Sequence, residues 1–323
     1  MSTPSCVLVV LRKPGDLPDL GSVLGEWLED QVPDAQVYLC SSEDECMAHL
    51  DANALASFAW CPPRFVAGAT NLRWIHSLSA GVDSLVSSPL LPPRVTLTNS
   101  RGMHAIAIAD HAFALILGLA RRLRGCFENQ QQARWERYSG DELCGKTLGI
   151  VGFGGIGQEV GRRGRAFGMQ VIGVRSRPEP STLADQVVGP DEMLGVLARS
   201  DIVVLATPLT PSTQGLIDRD AIAKIKRGAY LINICRGEVV DQNALVTALE
   251  SGHMAGAGLD AVTPEPLPTT SPLWSMPNVI ITPHSAALTP GTTERLRRLL
   301  AANLKRFAAG EELVNVVDLR RGY

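Results

Sequence analysis

The stretch Leu148-Gly-Ile-Val-Gly-Phe-Gly-Gly-Ile-Gly157 decides the fold, because a short apolar run ends there in glycines spaced as G-x-G-x-x-G. We expect a strand that turns into a helix. In such a turn Gly152 permits the tight bend, Gly154 lets the backbone approach a pyrophosphate, and Gly157 lets the helix pack against its strand. The phosphates would lie at the helix N-terminus. The turn therefore predicts a dinucleotide site formed by Gly152, Gly154, Gly155, Ile156 and Gly157.

The residues after the turn complete a strand-helix-strand unit. Ile156, Val160 and Phe167 recur at near-helical spacing, and a second apolar strand, Met169–Val174, follows. The end of that second strand commonly carries an acid that binds the adenosine ribose.

Here the second strand is followed by Arg175, Ser176 and Arg177 instead. Two guanidiniums flanking a hydroxyl can bind a 2′-phosphate through charge-assisted bonds, whereas an acid would repel it. The pattern favours NADP over NAD. The alternative is a solvated basic turn before Pro178.

Length, charge and cysteine content bound the class of protein. A chain of 323 residues predicts two domains, and a formal net charge of −3 gives no general attraction to nucleic acid or anionic membrane. Seven cysteines without CxxC spacing, and no clustered His/Cys spacing, argue against a metal site. The first residues do not resemble a cleavable signal, so we expect reduced thiols in a soluble, cytoplasmic protein.

The first hundred residues alternate strand-like runs with helical patterns. This alternation indicates a parallel sheet covered by helices, with ligands bound beyond the carboxyl ends of its strands. One amphipathic helical face is formed by Leu20, Val23, Leu24, Trp27 and Leu28. The predicted strands are Cys6–Leu11, Gln36–Cys40, Phe58–Trp60, Trp74–Leu78 and Val95–Thr98.

Small residues follow one of these strands, at Ser79-Ala-Gly-Val-Asp83. The backbone N–H groups of Ala80 and Gly81 are candidates to bind a carboxylate, and a plain turn is the alternative. Further along, Ala105–Ala120 is apolar nearly all round, so we expect a helix buried on most sides. Trp135 stands in the polar stretch that follows, and we interpret it as an interface anchor or as part of a substrate pocket.

In the second half of the chain, polar residues stand where predicted strands end. Arg236 follows one strand, Asp260 ends the next, and His284 follows the last. Glu265 lies just beyond Asp260. Such a set makes a plausible keto-acid reductase site, because carboxyl ends of parallel strands share one edge of a sheet.

The chemistry of three residues supports that interpretation. Arg236 would bind the substrate carboxylate and polarise the carbonyl with its planar, permanently charged fork. His284 would protonate the carbonyl oxygen, and Glu265 would orient the ring and raise its pKa. The alternatives are a surface or interdomain pair for Arg236, a solvated turn for Glu265 and a strand cap for His284. The other histidines, His104 and His111 among them, show no comparable partner.

Several motifs in register resemble the D-isomer-specific 2-hydroxyacid dehydrogenase family, and the similarity covers nearly the whole chain. The motifs are Leu143–Gly157, Pro208–Gly215, Ile232–Asp241, Gly258–Asp260, Pro264–Pro268 and Thr282–His284. The resemblance implies an α/β protein of two doubly wound parallel-sheet domains. A Rossmann-type cofactor domain would span 100–285, and a flavodoxin-like substrate domain would comprise 1–99 and 286–323. The active site would lie in the cleft, and the cofactor domains would form a homodimer.

The resemblance also assigns roles to individual positions. Arg236, Glu265 and His284 match the catalytic residues of the family, and Asp260 matches the residue that contacts the nicotinamide carboxamide. Ala80 and Gly81 match the backbone that holds the substrate carboxylate, together with Arg236 and His284. Further implied cofactor contacts are Thr207, Pro208 and Cys235.

Within the family, the chain looks most like the glyoxylate/hydroxypyruvate reductase branch, on the segments Trp60–Pro63, Ser79–Asp83 and His284–Ala287. Arg175 then favours NADPH and hence the reductive direction. The chain ends at Tyr323, without the extra regulatory domain of many phosphoglycerate dehydrogenases, which disfavours that alternative. Two others stay open: a dehydrogenase for bulkier keto acids, and a non-enzymatic dinucleotide-sensing scaffold.

Overall fold

The computed structural model describes residues 6–11, 24–58 and 60–320. It divides into two compact units, the first comprising Met1–His104 with Leu288–Tyr323 and the second Ala105–Ala287. The boundaries expected from the sequence, after residues 99 and 285, fall shortly before those of the two units.

Twelve strands and eleven helices alternate along the described residues. The strands are β1 (Cys6–Leu11), β2 (Ala35–Cys40), β3 (Ala54–Ser57), β4 (Trp74–Ser77), β5 (Thr96–Asn99), β6 (Thr147–Val151), β7 (Gln170–Val174), β8 (Gln186–Val188), β9 (Ile202–Leu205), β10 (Tyr230–Asn233), β11 (Gly256–Leu259) and β12 (Val279–Ile281). The helices are α1 (Leu24–Gln31), α2 (Glu43–Cys46), α3 (Pro63–Gly68), α4 (Asp83–Val86), α5 (Ala105–Ala120), α6 (Leu123–Gln131), α7 (Gly155–Ala166), α8 (Met193–Arg199), α9 (Arg219–Lys224), α10 (Gln242–Glu250) and α11 (Pro290–Ala309).

The first unit is built on a five-stranded parallel sheet with the order β2-β1-β3-β4-β5. This is the flavodoxin-like order. All six residues of β1 are buried, as expected for a parallel strand covered on both faces. Helix α11 packs onto this core through Leu296, Leu300 and Leu304, so the end of the chain completes the first unit.

One predicted strand of this unit is wrong. The third strand is Ala54–Ser57 and not Phe58–Trp60. Its Ala-Leu-Ala-Ser run lacks the β-branched and aromatic residues that favour strands, so the pattern did not reveal it. The Ser57 hydroxyl donates to the Trp60 carbonyl at 2.6 Å, which turns the chain after β3. Ala59 lies outside the described residues, as do Leu20 and Val23 of the first predicted helix.

The second unit is built on a seven-stranded parallel sheet with the order β12-β11-β10-β9-β6-β7-β8. Strands β7 and β8 are added on one side of β6, whereas β9 to β12 are added on its other side. The switch point, where such sheets bind ligands, therefore lies between β6 and β9. The two sheets confirm the predicted α/β class.

Helix α5 packs against this second sheet and buries most of its length. A Cβ on Gly258 of β11 would lie 2.9 Å from Leu115 Cβ, so glycine in the strand permits the close approach. Every helix among the described residues is too short or too polar to cross a membrane.

A buried histidine lies at the centre of a polar network in the first unit. His76 Nδ1 is 2.7 Å from the Thr98 hydroxyl, which also accepts a 2.8 Å bond from Trp74 Nε1. His76 Nε2 is 3.3 Å from the Ser100 hydroxyl, which donates to the Ser77 carbonyl. Thr98 therefore donates to Nδ1, and Nε2 carries the proton of a neutral ring. Burial lowers the pKa of His76 to about 3.

We expect this burial to make the protein sensitive to acid. The ordinary histidine pKa is 6.5, so below that pH His76 binds a proton in the unfolded chain but not in the folded protein. Stability is then fully present above pH 6.5 and falls toward pH 3, by about 1.4 kcal/mol per pH unit for one such group. Denaturant unfolding followed by tryptophan fluorescence at pH 7.5 and 5.5 checks this. His76→Gln should lose less stability between the two pH values than the wild type, and equal losses would contradict the assignment.

Candidate functional site

The glycine turn lies between β6 and α7, as the sequence predicts. Gly152 has a φ of 99°, and a Cβ there would come within 2.5 Å of the Thr207 nitrogen. A Cβ on Gly157 would lie 2.3 Å from the Gly152 oxygen. Only glycine fits both positions. A Cβ on Gly154 or Gly155 would meet no atom within 4 Å, so this side of the turn is open.

This arrangement fits a dinucleotide. The open side of the turn lies at the N-terminus of α7, a 12-residue helix whose first backbone N–H groups are available to an anion. Gly154 is the N-cap, with Gly155 and Ile156 in the first turn. The backbone can therefore approach a pyrophosphate without a side chain between them.

The basic segment follows β7 directly. Arg175 is one-third exposed, and its guanidinium lies 3.8 Å from the Glu179 carboxylate, which is too far for a strong ion pair at an exposed position. Ser176 and Arg177 are exposed. Both guanidiniums are accessible to a phosphate.

The loop after β9 stands beside the glycine turn, because the Ala206 nitrogen donates to the Val151 carbonyl at 2.8 Å. Thr213 closes the loop by donating its hydroxyl to the Pro208 carbonyl at 2.6 Å. Thr207 is half-buried and Pro208 exposed. The predicted cofactor residues Thr207 and Pro208 therefore lie at the switch point of the sheet.

Glu265 and His284 are in direct contact. His284 Nδ1 lies 2.9 Å from Glu265 Oε2, and Glu265 Oε1 accepts a 3.1 Å bond from the Val262 nitrogen. The carboxylate is thus fixed on both oxygens, and the Nε2 atom of His284 is the ring nitrogen not engaged by Glu265. Arg236 follows β10, where its guanidinium donates to the Cys235 carbonyl at 2.8 Å.

The charges of this group shift two pKa values in opposite directions. Burial alone would raise the pKa of Glu265, but His284, the Val262 N–H and the nearby Arg236 charge together outweigh it and bring the pKa below 4.5. The hydrogen bond that His284 donates to Glu265 raises the pKa of His284 above 6.5, against burial and the nearby Arg236 charge. An ionised Glu265 beside a readily protonated His284 is suited to proton transfer near neutral pH.

Asp260 is buried, with 3% of its surface exposed, and its carboxylate binds the segment that carries His284. Oδ1 accepts from the Thr282 hydroxyl at 2.6 Å and from the Ser285 nitrogen at 3.0 Å. Oδ2 accepts from the Ala286 nitrogen at 3.1 Å. This side chain, predicted as a cofactor contact, is in this structure an anchor for its neighbouring loop.

Cys235, another predicted cofactor contact, is also buried. Its thiol lies 3.1 Å from the Asn233 amide oxygen, and burial raises its pKa to about 11. The thiol is therefore neutral at physiological pH. All seven cysteines are free thiols, and no group of three or more His, Cys, Asp or Glu side chains within the described ranges is placed to hold a metal ion.

Two side chains that the sequence analysis passed over shape the loops after β10 and β11. The buried amide of Asn233 donates to the carbonyls of Arg236 and Ala261, at 3.0 and 3.1 Å. Gln242 donates to the Thr263 carbonyl at 2.9 Å and accepts from the Thr263 nitrogen at 3.1 Å. The sequence could have indicated the role of Asn233, because it is a polar residue that ends an apolar strand. No sequence pattern indicates the role of Gln242.

His111, for which the sequence indicates no partner comparable to Glu265, contacts two side chains in the structure. Its Nε2 lies 2.8 Å from the Thr282 hydroxyl and 3.5 Å from Asp260 Oδ1. The signal was its place in helix α5, where Asp110 is the other charged or titratable side chain. The partner lies 171 residues further along the chain, and no local pattern identifies it.

Ala80 and Gly81 belong to the first unit, whereas the other predicted site residues belong to the second. They follow β4, where the Ala80 carbonyl accepts from Asn99 Nδ2 at 2.9 Å and the Gly81 carbonyl accepts from the Ser79 hydroxyl at 3.1 Å. Both are half-buried. Their carbonyls are engaged within the unit, which fixes the direction of the neighbouring N–H groups.

Comparisons with known proteins identify a matching family profile and similar chains. Residues 113–286 match the profile of the D-isomer specific 2-hydroxyacid dehydrogenase NAD binding domain. Glyoxylate reductase from Thermococcus kodakarensis is 37% identical over 269 residues, which cover 78% of this chain and 80% of the relative. D-3-phosphoglycerate dehydrogenase from Mycobacterium bovis is 31% identical over 325 residues, which cover 100% of this chain and 60% of the relative. A solved NADPH-dependent glyoxylate/hydroxypyruvate reductase from Sinorhizobium meliloti, in complex with NADP and sulfate, superposes with a TM-score of 0.85 at 27% identity, covering 98% of this chain and 99% of that one.

We expect Glu265→Gln to lower the pKa of His284, because the carboxylate that favours the charged ring is then neutral. NMR titration of the His284 imidazole in the free protein measures this shift. Glu250→Gln removes the same charge from an exposed position at the end of α10 and should leave the His284 pKa where it is. An unchanged His284 pKa in Glu265→Gln would contradict the pairing.

Proposed function

This chain belongs to the D-isomer-specific 2-hydroxyacid dehydrogenase family, and we propose that it uses NADPH to reduce a small 2-keto acid such as glyoxylate or hydroxypyruvate. The product is the corresponding 2-hydroxy acid, in the D configuration where it is chiral. The observation that carries this proposal is the 2.9 Å bond between Glu265 and His284 at the sheet edge that also holds the glycine turn. That pair provides a proton donor close to a site suited to a dinucleotide.

The proposed reaction divides its work among three side chains. Arg236 binds the substrate carboxylate through its planar fork and polarises the adjacent carbonyl with its charge. His284 donates the Nε2 proton to the carbonyl oxygen, and takes it back in the reverse oxidation. Glu265 holds Nδ1, so the ring keeps its orientation and its positive charge until the proton leaves. When bound, NADPH supplies the hydride that the carbonyl carbon accepts.

In the proposed arrangement the two units have different tasks. The second unit binds the cofactor through the turn from Gly152 to Gly157, the Thr207–Pro208 loop and the segment near Cys235 and Asp260. For the first unit, we propose that the N–H groups of Ala80 and Gly81 bind a carboxylate. Support for the division comes from the open glycine turn in the second unit and the fixed carbonyls after β4 in the first.

For the cofactor, we propose NADPH over NADH. Arg175 and Arg177 follow β7, where the adenosine ribose lies in sheets of this order, and the Arg175 guanidinium makes only a long contact to Glu179. Two accessible guanidiniums suit a 2′-phosphate. The related solved reductase from Sinorhizobium meliloti is itself described as NADPH-dependent, which supports the proposal.

We further propose a cytoplasmic homodimer formed through the second unit. Trp135 is 94% exposed and Phe127 60% exposed, and large aromatic side chains at such exposure are typical of association surfaces. The free thiols of this chain suit a reducing compartment.

The catalytic proposal predicts that His284→Ala lowers kcat with glyoxylate or hydroxypyruvate by about a thousandfold, the usual range for loss of a general acid. The dissociation constant for NADPH, measured by fluorescence titration, should stay near the wild-type value. His253→Ala changes another histidine of the second unit, one that contacts the Ile222 carbonyl, and should keep wild-type turnover.

A panel of 2-keto acids completes this test. Turnover of only the bulkier acids would replace the small-acid proposal with the alternative for larger substrates. Cofactor binding with no turnover of any 2-keto acid would contradict the enzyme and favour a dinucleotide-binding scaffold.

The cofactor proposal predicts that replacing Arg175 and Arg177 by alanine raises the KM for NADPH about tenfold or more, because charge-assisted bonds to the phosphate are lost. The KM for NADH should change little. Steady-state kinetics with both cofactors measure the difference. Arg227→Ala removes an exposed arginine elsewhere in the second unit and should leave both values unchanged. Equal losses for NADPH and NADH in the double variant would overturn the preference.

A further inference from the structure

We infer that His111 is a positioning residue which acts through Thr282 and Asp260 to hold the turn that carries His284. The inference rests on the proposed function, since it assigns a residue that supports the proposed proton donor. Helix α5, which begins the second unit in sequence, would thereby fix the geometry of His284, which lies near the end of that unit. Three observations lead to this assignment.

The first observation is the backbone of His284 itself. Its φ is 51°, in the left-handed region that is strained for a non-glycine residue. The His284 nitrogen donates to the Asp260 carbonyl at 2.9 Å. Such a conformation persists only where surrounding bonds hold it, so the turn depends on its anchors.

The second observation identifies the anchor as the carboxylate of Asp260. It accepts bonds from the nitrogens of Ser285 and Ala286, the two residues directly after His284. Asp260 therefore binds the turn through its backbone on one side and through its side chain on the other. If the carboxylate rotates, the two nitrogens lose their acceptors and the left-handed turn loses its support.

The third observation shows what sets the orientation of that carboxylate. The Thr282 hydroxyl lies 2.6 Å from Asp260 Oδ1, and because a carboxylate only accepts, Thr282 must donate. The hydroxyl has a single proton, so its 2.8 Å contact with His111 requires the Nε2–H of His111 to be the donor there. His111 thus fixes the direction of the hydroxyl, and its Nε2 lies 3.5 Å from the carboxylate as well.

A merely structural role for His111 would tie α5 to the sheet without affecting His284. The two roles differ in what the loss of the Nε2–H does to a folded protein. A structural tie alters stability, whereas the positioning role alters the His284–Glu265 contact, which raises the pKa of His284 and sets its proton donation.

The test compares His111→Leu, which removes the donor, with His111→Gln, whose amide Nε2 can reach Thr282 in its place. For the leucine variant we expect kcat to fall about tenfold, as is typical when a reacting group is slightly misplaced. We also expect the His284 pKa, measured by NMR in the free protein, to shift toward 6.5 because its contact with Glu265 weakens. The NADPH dissociation constant should stay at the wild-type value, and the glutamine variant should recover most of both losses.

Thr282→Val and Thr282→Ser give a second pair that needs no change in α5. Thr282→Val should show the same losses as His111→Leu. Thr282→Ser should keep kcat and the His284 pKa near the wild-type values. Because the three residues act in series, the double variant with His111→Leu and Thr282→Val should lose no more activity than either single variant.

Two results would overturn the inference. One is a leucine variant with a lower melting temperature but wild-type kcat and His284 pKa. The other is a glutamine variant as impaired as the leucine variant. Should the wild-type protein turn over no keto acid, the proposed function fails, but the NMR comparison of the His284 pKa still decides the role of His111.

Discussion

The parallel register of the seven-stranded sheet is the constraint on which the site depends. Because all seven strands run in one direction, the segments that leave β6, β10, β11 and β12 emerge at one edge. The glycine turn, Arg236, Asp260 and His284 are therefore brought together from a segment that spans more than 130 residues, from Gly152 to His284. Hydrogen bonds between neighbouring strands set the distances between these segments, so residues from several loops form the site together.

Two carboxylates at this edge, those of Glu265 and Asp260, affect His284 in different ways. Glu265 is part-exposed and binds the imidazole of His284, so it acts on the charge of the ring. Asp260 is buried and binds backbone nitrogens after His284, so it acts on the position of the ring. A buried carboxylate is expensive unless its oxygens are satisfied, and removing a partner leaves that cost uncompensated. The requirement makes the orientation of Asp260, and with it the turn, well defined.

Much of this arrangement follows from sequence patterns, and the exceptions have identifiable causes. Continuous apolar runs mark most strands, and strand ends place Glu265 and His284 close enough to meet. The strand Ala54–Ser57 was missed because small residues carry little propensity, although pairing on both sides makes it a central strand. The contact of His111 with Thr282 depends on how α5 packs across the sheet. Periodicity defines which face of a helix is buried, and it does not define which distant residue lies opposite.

The most direct test of the central claim, hydride transfer from NADPH to a 2-keto acid, follows the transferred hydrogen atom. The protein is incubated with glyoxylate and NADPH carrying deuterium at both C4 positions of the nicotinamide, and the product is analysed by NMR and mass spectrometry. The account predicts glycolate that carries one deuterium on C2. Glycolate without deuterium on C2, or no glycolate while NADPH still binds, would contradict it.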